Sequence, residues 1–349
     1  MKNATLLIAL VFVLFAGCSE QPKTKDQPSL VEFADSLFQK NIDSSYIAGA
    51  SVLVYRDGQK LLDKTYGYAS LELSTPMPEQ AIFEIGSVTK QFTAAAILRL
   101  AEQGKLSLED DFTKYLDFDA QGRKMTVGQL LDHTSGLASY TGMPEFSSLS
   151  VERHDRDTLV RIVEEKDFLF RPGEMMMYSN SGYYFLGLII EKASGKSYEE
   201  YLEEQFFQPL EMHNTYYSSN TEIIPNKVYG YRYTKDGIRQ KNYLDHTWPY
   251  AAGSLCSSTG DLLAWMRALH GGKVFNDERY RSMIYPGTLN NGAGIRYAKG
   301  LANYSTHGHP VIAHAGGING FVTDTRYFPE EDLYVICLVN TTGPKGAGM

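Results

Sequence analysis

Strand-like runs of apolar residues lie near both ends of the chain. The stretch GASVLVYRDGQKLLDKTYGY, residues 49–68, has two such runs around the turn-forming tetrapeptide RDGQ. The stretch INGFVTDTRYFPEEDLYVICLVN, residues 318–340, has two more around PEED. Each pattern predicts a β-hairpin, because short runs rich in Val, Thr, Tyr and Phe around turn residues are typical of strands. We therefore expect one antiparallel sheet that is assembled from both ends of the chain.

Segments with helical patterns fill the middle of the chain. The stretch EIGSVTKQFTAAAILRLAEQGKL, residues 84–106, is apolar on nearly every side, which is typical of a buried helix. Two further helices are predicted in SNSGYYFLGLIIEKASGK, which ends at Gly195, and in TGDLLAWMRALHGGK, which ends at Gly271. The stretches TVGQLLDHTSGL and SYEEYLEEQFFQPL also predict helices. Strands at both ends with helices between them indicate an α+β fold.

The first residues, MKNATLLIALVFVLFAGC, are typical of an export signal. Lys2 precedes the apolar run 6–15, which is too short to span a bilayer comfortably. The ending LFAGC resembles a bacterial lipobox, although Phe15 stands where that pattern usually has leucine. The resemblance implies that residues 1–17 are a signal peptide and that Cys18 carries a lipid. A plain signal peptide cut nearby and a short buried segment are the alternatives.

The stretch SEQPKTKDQPS after Cys18 is polar and contains proline. This composition is typical of a flexible tether, so we expect a lipid-anchored tether at 18–29, followed by a folded domain at 30–349. The expected protein is an exported lipoprotein, anchored to a membrane of the cell envelope and facing the periplasm or the outer surface.

The net charge and the residue patterns argue against some classes of binding partner. The 349 residues are 43% apolar and 21% charged, and the formal net charge is −8, which argues against nucleic acid as a partner. The chain has no metal-type pattern such as CxxC or HExxH, so no metal or cofactor is expected. Cys256 and Cys337 could pair in an exported protein, but a buried free thiol is as plausible for Cys337, and no disulfide is predicted.

Ser87 and Lys90 stand three residues apart at the start of the 84–106 helix. Residues at this spacing share a helix face, so the amine can reach the hydroxyl. A serine becomes nucleophilic when an adjacent base takes its proton, and a lysine can be that base when burial lowers its pKa. The simpler alternative is a helix cap followed by a surface lysine, because Ser-x-x-Lys alone is a weak motif.

Tyr178 and Asn180 alternate in RPGEMMMYSNSGYYFLG, just before a predicted helix. In an extended turn, both side chains can face the same side. A tyrosine hydroxyl can relay a proton, and an asparagine amide can orient a carbonyl or hold a lysine. The alternative is an ordinary turn with a half-buried tyrosine.

His314, Gly316 and Gly317 lie in VIAHAGGINGF, after a strand-like run. Small residues there let a substrate approach the strand closely, and a backbone N–H can serve an oxyanion. The alternative is a glycine-rich loop with an incidental histidine.

Together the three motifs resemble those of the serine β-lactamase and penicillin-binding-protein superfamily. The chain is most similar to the branch of class C β-lactamases, D-alanyl-D-alanine carboxypeptidases, D-aminopeptidases and related esterases. The motifs are Ser-Val-Thr-Lys at 87–90, Tyr-Ser-Asn at 178–180 and His-Ala-Gly at 314–316. The phrases LLDHTSGL and AAGSLCSSTGDLLAWM agree, and the resemblance covers residues 30–340.

The resemblance implies an acyl-enzyme mechanism. Ser87 attacks an acyl carbonyl, while Lys90 and Tyr178 accept its proton and pass it to the leaving group. Which of these two is the base stays open at this point. The N–H groups of Ser87 and Gly317 are implied to form the oxyanion hole. The residues implied to bind substrate are Asn180, His314, Gly316 and Gly317.

The resemblance also implies an antiparallel sheet flanked by helices, with an all-helical lobe and the site in the cleft between them. The sheet lobe is expected at about 30–115 and 250–349, and the helical lobe at about 116–249. Related proteins normally add a C-terminal helix after the last strand. The remaining sequence, TTGPKGAGM, does not encode one, so this helix is expected to be missing.

The implied function is hydrolysis of an amide or ester bond in a small-molecule or peptide substrate, with a peptidase or esterase ranked before a β-lactamase. Class C β-lactamases usually carry Lys-Thr-Gly at the third motif. Here His314 is largely neutral at pH 7, so a fixed positive charge for a β-lactam carboxylate is missing. A non-catalytic lipoprotein that binds peptidoglycan or a partner is the alternative from another class, and the three intact motifs argue against it.

Overall fold

A computed structural model gives the fold of residues 28–343. The predicted signal peptide, the lipid attachment at Cys18 and most of the tether lie outside these described residues, as do residues 344–349. The helices are α1 Leu30–Asp43, α2 Thr89–Glu102, α3 Val127–Leu131, α4 Phe146–Leu149, α5 Arg156–Glu164, α6 Asn180–Ser194, α7 Tyr198–Leu202, α8 Thr259–His270 and α9 Asp277–Ile284. The strands are β1 Gly49–Arg56, β2 Gln59–Ser70, β3 Thr75–Pro76, β4 Phe83–Glu84, β5 Tyr216–Tyr217, β6 Tyr231–Thr234, β7 Gly237–Gln240, β8 Leu255–Ser257, β9 Ala302–Thr306, β10 His309–Ile318, β11 Phe321–Phe328, β12 Leu333–Val339 and β13 Thr341–Thr342.

A seven-stranded antiparallel sheet forms the main layer, with the order β3-β2-β1-β12-β11-β10-β9. Strand β1 lies between β2 and β12, so Leu53 is opposite Asp63 on one side and Ile336 on the other. The first hairpin turns at Asp57 and Gly58, whose φ angles of +47° and +82° suit a two-residue hairpin turn. The two ends of the chain therefore meet inside one sheet, which confirms the predicted antiparallel arrangement.

Helix α2 is almost entirely enclosed, which explains its apolar sequence. Eleven of its 14 residues are buried. Gln91 donates its amide N–H to the Thr325 hydroxyl on β11 at 3.2 Å and accepts the indole N–H of Trp265 on α8 at 2.9 Å. The ring of Phe92 lies 4.3 Å from the Trp265 ring, centroid to centroid. These contacts fix α2 against both the sheet and α8.

Helix α1 covers the opposite face of the sheet along β1 and β2. Val52 and Val54 pack on that side, where Phe38 of α1 stacks on Tyr66 at 4.8 Å between ring centroids. Leu53, between the two valines, belongs to the main core instead, as the alternation of a strand requires. Within residues 28–343, no helix combines the length and apolar character needed to cross a membrane. Both cysteines in this range are free thiols.

The region 116–249 contains α3–α7, as expected, but it is not helical throughout. Strands β5, β6 and β7 also lie there, which corrects the prediction of an all-helical lobe. Strand β5 pairs with β8, and the hairpin of β6 and β7 pairs with β13 in a parallel arrangement through β6. These strands have only two to four residues, so they leave almost no alternation to detect in the sequence.

Replacing the Phe92 ring tests the central packing of α2. Phe92→Ala should lower the free energy of unfolding by about 3–5 kcal/mol, because the removed ring leaves a cavity beside Trp265. The matched control is Phe33→Ala in α1, where the side chain is 55% exposed and the change should stay below about 1 kcal/mol. Urea unfolding followed by circular dichroism measures both values. Equal losses in the two variants would contradict this account of the core.

Candidate active site

The Ser87 turn, residues 85–88, connects β4 to α2. It contains a 3-10 turn at Gly86–Val88, so α2 starts only at Thr89. Ser87 therefore precedes the helix, whereas the sequence predicts it inside the helix. A 3-10 turn stacks residues i and i+3, and the Nζ atom of Lys90 lies 3.1 Å from the Oγ atom of Ser87. The structure thus brings the predicted pair into contact.

Lys90 is fully buried, and its amine contacts three oxygen atoms. They are Ser87 Oγ at 3.1 Å, Asn180 Oδ1 at 2.8 Å and the Ala252 carbonyl at 2.7 Å. Burial holds the pKa of Lys90 well below its ordinary value, because the charged form loses its hydration. The Asn180 oxygen is oriented toward the amine because its NH₂ group donates to the Thr141 hydroxyl at 3.0 Å.

These partners determine what a neutral Lys90 can do. The amide oxygen of Asn180 and the carbonyl of Ala252 can only accept, so each takes one N–H of the amine. The lone pair is then left for the Ser87 hydroxyl, which can donate its proton. The arrangement favours Lys90 as the base that activates Ser87.

Tyr178 packs beside this pair, just before α6. Its ring centroid lies 4.9 Å from Lys90 Nζ. Tyr178 as a whole exposes 39% of its surface, but its phenol group points into the protein. Burial of the phenol raises its pKa, and a hydrogen bond with the Ser87 hydroxyl lowers the pKa by less than burial raises it. The phenol therefore keeps its proton near neutral pH, which suits a proton donor to a leaving group better than an initial base.

The ring of His133 packs against the ring of Tyr178. The sequence did not identify His133 as a site residue. Its backbone has φ +58°, and its Nδ1 atom accepts the N–H of Ser179 at 3.1 Å. Its ring lies 4.3 Å from the Tyr178 ring and 4.5 Å from the Tyr297 ring, centroid to centroid. Burial lowers the pKa of His133, so the ring is neutral. The phrase LLDHTSGL pointed to this segment, but nothing in it assigned the histidine to the site.

His314 lies on β10, and both of its ring nitrogens are engaged by protein atoms. Nδ1 is 2.7 Å from the carbonyl oxygen of Ala315, and Nε2 is 2.8 Å from the hydroxyl of Tyr297. Burial lowers the pKa of His314 to about 3, and the nearby amine of Lys90 adds to this effect. The histidine is therefore neutral at pH 7, and Tyr297 is a second site residue that the sequence did not reveal.

The glycines of the third motif let β10 approach the Ser87 turn. A Cβ atom on Gly316 would lie 2.0 Å from the carbonyl oxygen of Ile85, which no structure tolerates. A Cβ atom on Gly86, which has φ +51°, would lie 2.9 Å from the backbone of Gly317. Glycine at these positions therefore places the backbones of Ser87 and Gly317 side by side. This fits the predicted oxyanion hole, in which two N–H groups face one oxygen.

Two concavities flank Ser87. The smaller one, of about 120 Å³, has an apolar wall, and its main side chains are Tyr140, Phe146, Leu244, Pro249 and Ile318. The larger one, of about 350 Å³, is lined by Ser87, Tyr178, Tyr297, Ala302, His314 and Ala315. Among the residues that the structure describes, none that lines either concavity carries a formal charge at neutral pH.

A buried cluster of ionisable side chains surrounds Glu84, at the end of β4 and just before the Ser87 turn. Glu84, three residues before Ser87, lies with both carboxylate oxygens 2.9 Å from Lys241 Nζ, while Lys227 is at 3.4 Å and His246 at 3.3 Å. Burial by itself would raise the pKa of Glu84, but these three partners outweigh it and hold the pKa below its ordinary value. The cluster ties the segment 227–246 to strand β4, which leads into the Ser87 turn.

The lowered pKa of Lys90 makes a prediction about stability and pH. The unfolded chain binds a proton at Lys90 that the folded chain lacks, wherever the pH lies between the folded and unfolded pKa values. In that window the unfolding free energy of wild type, relative to Lys90→Met, should rise by about 1.4 kcal/mol per pH unit. Urea unfolding of both proteins at pH 7, 8 and 9 measures this difference. A constant difference would mean that Lys90 stays protonated in the folded protein.

Known proteins are similar to this chain in sequence and in fold. A family model described as Beta-lactamase matches residues 34–348. Penicillin-binding protein 4* of Bacillus subtilis is 33% identical over 292 residues, which cover 78% of this chain and 64% of that protein. The chain spans less than two thirds of the length of the curated relatives it matches, 62% and 64% for two of them.

Solved structures agree with the sequence comparisons. The octameric penicillin-binding protein homologue from Pyrococcus abyssi superposes with a TM-score of 0.78 at 28% identity, over 89% of this chain and 74% of that one. D-amino acid amidase from Ochrobactrum anthropi SV3, complexed with L-phenylalanine amide, gives 0.76 at 25% identity, over 90% and 92%. Since the family model matches most of its length and the fold agrees, the chain belongs to the β-lactamase family of serine hydrolases.

Proposed function

We propose that this protein hydrolyses an amide or ester bond through an acyl-Ser87 intermediate, as a peptidase or esterase. The observation that carries the proposal is the 3.1 Å contact between Ser87 Oγ and the amine of a fully buried lysine. The other two partners of that amine can only accept hydrogen bonds. The names of the relatives, a penicillin-binding protein and a D-amino acid amidase, support amide substrates.

Acylation follows from the positions of these groups. The Ser87 Oγ–H proton moves to Lys90 Nζ while Oγ bonds to the acyl carbon, and the carbonyl oxygen becomes an oxyanion. The N–H groups of Ser87 and Gly317 stabilise this charge. The bond to the leaving group then breaks, and the phenol of Tyr178 gives its proton to the departing nitrogen or oxygen. Lys90 returns a proton to Tyr178, so both groups are restored.

Deacylation uses the same groups in reverse. A water molecule attacks the acyl carbon and gives a proton to Tyr178, which passes its own phenol proton to Lys90. The oxyanion forms again in the same place. When the carbon–Oγ bond breaks, Ser87 recovers its proton and the acid product leaves. The water takes the position that the leaving group held, on the side of Tyr178.

A β-lactamase is the second candidate, and the electrostatics of the site support this ranking. Penicillins carry a carboxylate, and the residues that line the two concavities supply no formal positive charge. His314, at the motif position where class C β-lactamases usually carry lysine, is neutral. The apolar wall of the smaller concavity instead suits an uncharged acyl group.

Localisation in the cell envelope is part of the proposal. The apolar run 6–15 followed by LFAGC supports an exported lipoprotein attached through Cys18. Residues 19–29 then tether the catalytic domain to the membrane surface.

Two substitutions test the catalytic pair. With p-nitrophenyl acetate as substrate, Ser87→Ala and Lys90→Met should each lower kcat/KM on the order of 10² to 10⁴-fold, because the nucleophile or its base is lost. Ser44→Ala and Lys105→Met, at exposed positions away from the cleft, are the matched controls and should keep the wild-type rate. Turnover at the wild-type rate in Ser87→Ala would remove Ser87 as the nucleophile. Absence of turnover above the protein-free rate in both wild type and Ser87→Ala would favour the non-catalytic binding protein.

Benzylpenicillin separates the two candidate activities. The intact mass of the protein and the concentration of the drug are followed together over time. We expect the drug to be consumed far more slowly than the ester, because its carboxylate finds no cation in the site. Rapid loss of the drug with an unmodified protein would identify a β-lactamase and reverse the ranking.

The lipid attachment makes a separate prediction. The full chain, expressed in a bacterium, should partition into the detergent phase of a Triton X-114 extract, whereas Cys18→Ser should partition into the aqueous phase or keep its signal peptide. Cys337→Ser is the matched control and should behave as wild type does. Detergent-phase partition of processed Cys18→Ser would rule out the lipid at this residue.

A further inference from the structure

The 250–252 turn, Tyr250–Ala252, supplies the carbonyl that Lys90 contacts, and its backbone is strained. Tyr250 has φ +40°, a left-handed conformation that is unusual for a bulky residue. Such a conformation persists only when the surrounding structure imposes it. The Tyr250 ring is fully buried, and the guanidinium carbon of Arg156 lies 4.0 Å from its centroid. The turn therefore depends on contacts with other segments to keep its shape.

Two side chains of α2 hold two consecutive carbonyls of this turn. Thr93 Oγ1 lies 2.7 Å from the carbonyl oxygen of Ala251, and Lys90 Nζ lies 2.7 Å from that of Ala252. Thr93 follows Lys90 by three residues, so both side chains project from one face of α2. Thr93 and the two alanines are buried, so water does not compete for these bonds. The bond from Thr93 thus anchors the turn one residue before the carbonyl that Lys90 uses.

The hydroxyl proton of Thr93 has a defined direction. The Ala251 carbonyl can only accept, so Thr93 donates to it. The Tyr198 hydroxyl lies 2.7 Å from Thr93 Oγ1, and because a hydroxyl has a single proton, Tyr198 is the donor in this contact. The carbonyl of Thr89 is farther from Thr93 Oγ1, at 3.4 Å. Two buried hydroxyls therefore form a directed chain from Tyr198 through Thr93 to the turn.

The Ala252 carbonyl decides where the lone pair of Lys90 points. A neutral amine has two N–H groups and one lone pair. One N–H goes to Asn180 Oδ1, which leaves the second N–H and the lone pair for Ala252 and Ser87. A carbonyl oxygen accepts an N–H and repels a lone pair, so the lone pair faces Ser87. If this carbonyl moved away, the second N–H could turn to Ser87 Oγ, and the amine could no longer take the serine proton.

We propose that Thr93 is a positioning residue for the reaction: its hydroxyl holds the 250–252 turn so that the Ala252 carbonyl orients Lys90 as the base for Ser87. This inference rests on the proposed function. The described residues that line the two concavities beside Ser87 do not include Thr93, which is fully buried. Thr93 therefore acts through Lys90 and does not touch the substrate.

Two conservative substitutions separate the hydroxyl of Thr93 from its packing. Thr93→Val keeps the shape and removes the hydroxyl, whereas Thr93→Ser keeps the hydroxyl and removes the methyl group. With p-nitrophenyl acetate, Thr93→Val should lower kcat/KM roughly 10- to 100-fold, because the base is misplaced. Thr93→Ser should stay near the wild-type rate. Rates are taken per folded protein, and circular dichroism measures the folded fraction.

A second pair and a matched control complete the experiment. Thr93→Ala and Thr93→Ser differ by the hydroxyl alone, so if Thr93→Val does not fold, the same fall in rate should appear from Thr93→Ser to Thr93→Ala. The control is Thr259→Val on α8. Thr259 is buried and its hydroxyl lies 3.3 Å from that of Ser51, so this change also removes a buried hydrogen bond. The described lining of the two concavities does not include Thr259, and its variant should keep the wild-type rate.

The outcomes separate this inference from the proposed function. A wild-type rate in Thr93→Val, or equal losses in Thr93→Val and Thr93→Ser, would assign Thr93 to packing and overturn the inference. Equal losses in Thr93→Val and Thr259→Val would overturn it too, since any lost buried hydrogen bond would then have the same effect. In these cases the Ser87-dependent turnover of wild type remains, and the hydrolase stands. A wild-type rate no higher than that of Ser87→Ala would overturn the proposed function and this inference with it.

Discussion

The burial of one amine, that of Lys90, sets the requirements that the rest of the site meets. A buried amine needs hydrogen-bond partners from the protein. Here Asn180 and Ala252 supply acceptors, and Ser87 supplies a hydroxyl that can donate to the lone pair. These residues belong to three segments that are far apart in the chain, so the site exists only when the core around α2 is complete. The apolar surface of α2 and the reactivity of Lys90 therefore have the same origin, because the burial that stabilises the helix also removes hydration from the amine.

Close backbone contact is the second requirement. Strand β10 must lie against the Ser87 turn if two N–H groups are to face one oxygen, and only glycine at positions 86 and 316 leaves room for this. Such contact needs a rigid support on the far side of the turn. Glu84 and its three basic partners provide it, since a buried carboxylate that lost them would remain charged without compensation.

Local sequence patterns were sufficient for the frame of the fold and for the three motifs. The hairpin at Asp57 and Gly58 and the buried helix α2 follow from turn residues and from apolar content, which act over a few neighbours. His133, Tyr297 and the Glu84 cluster could not be found in this way. Each depends on side chains that meet only in the folded chain, and a single histidine, tyrosine or glutamate gives no signal of its partners. The 3-10 turn before α2 was missed because its residues also suit an α-helix.

The basic groups of the cleft constrain one another. Burial is the main cause of the lowered pKa at both His133 and His314, and the charged form of Lys90 would add repulsion to each. Burial lowers the pKa of the Lys90 amine and so favours its neutral, basic form. A fixed cation at position 314 would attract carboxylates, and it would also oppose protonation of Lys90 during the reaction, since like charges repel in a dry site. Base catalysis by Lys90 and recognition of anions thus draw on the same electrostatic field, and the burial that keeps His314 neutral keeps a second positive charge out of it.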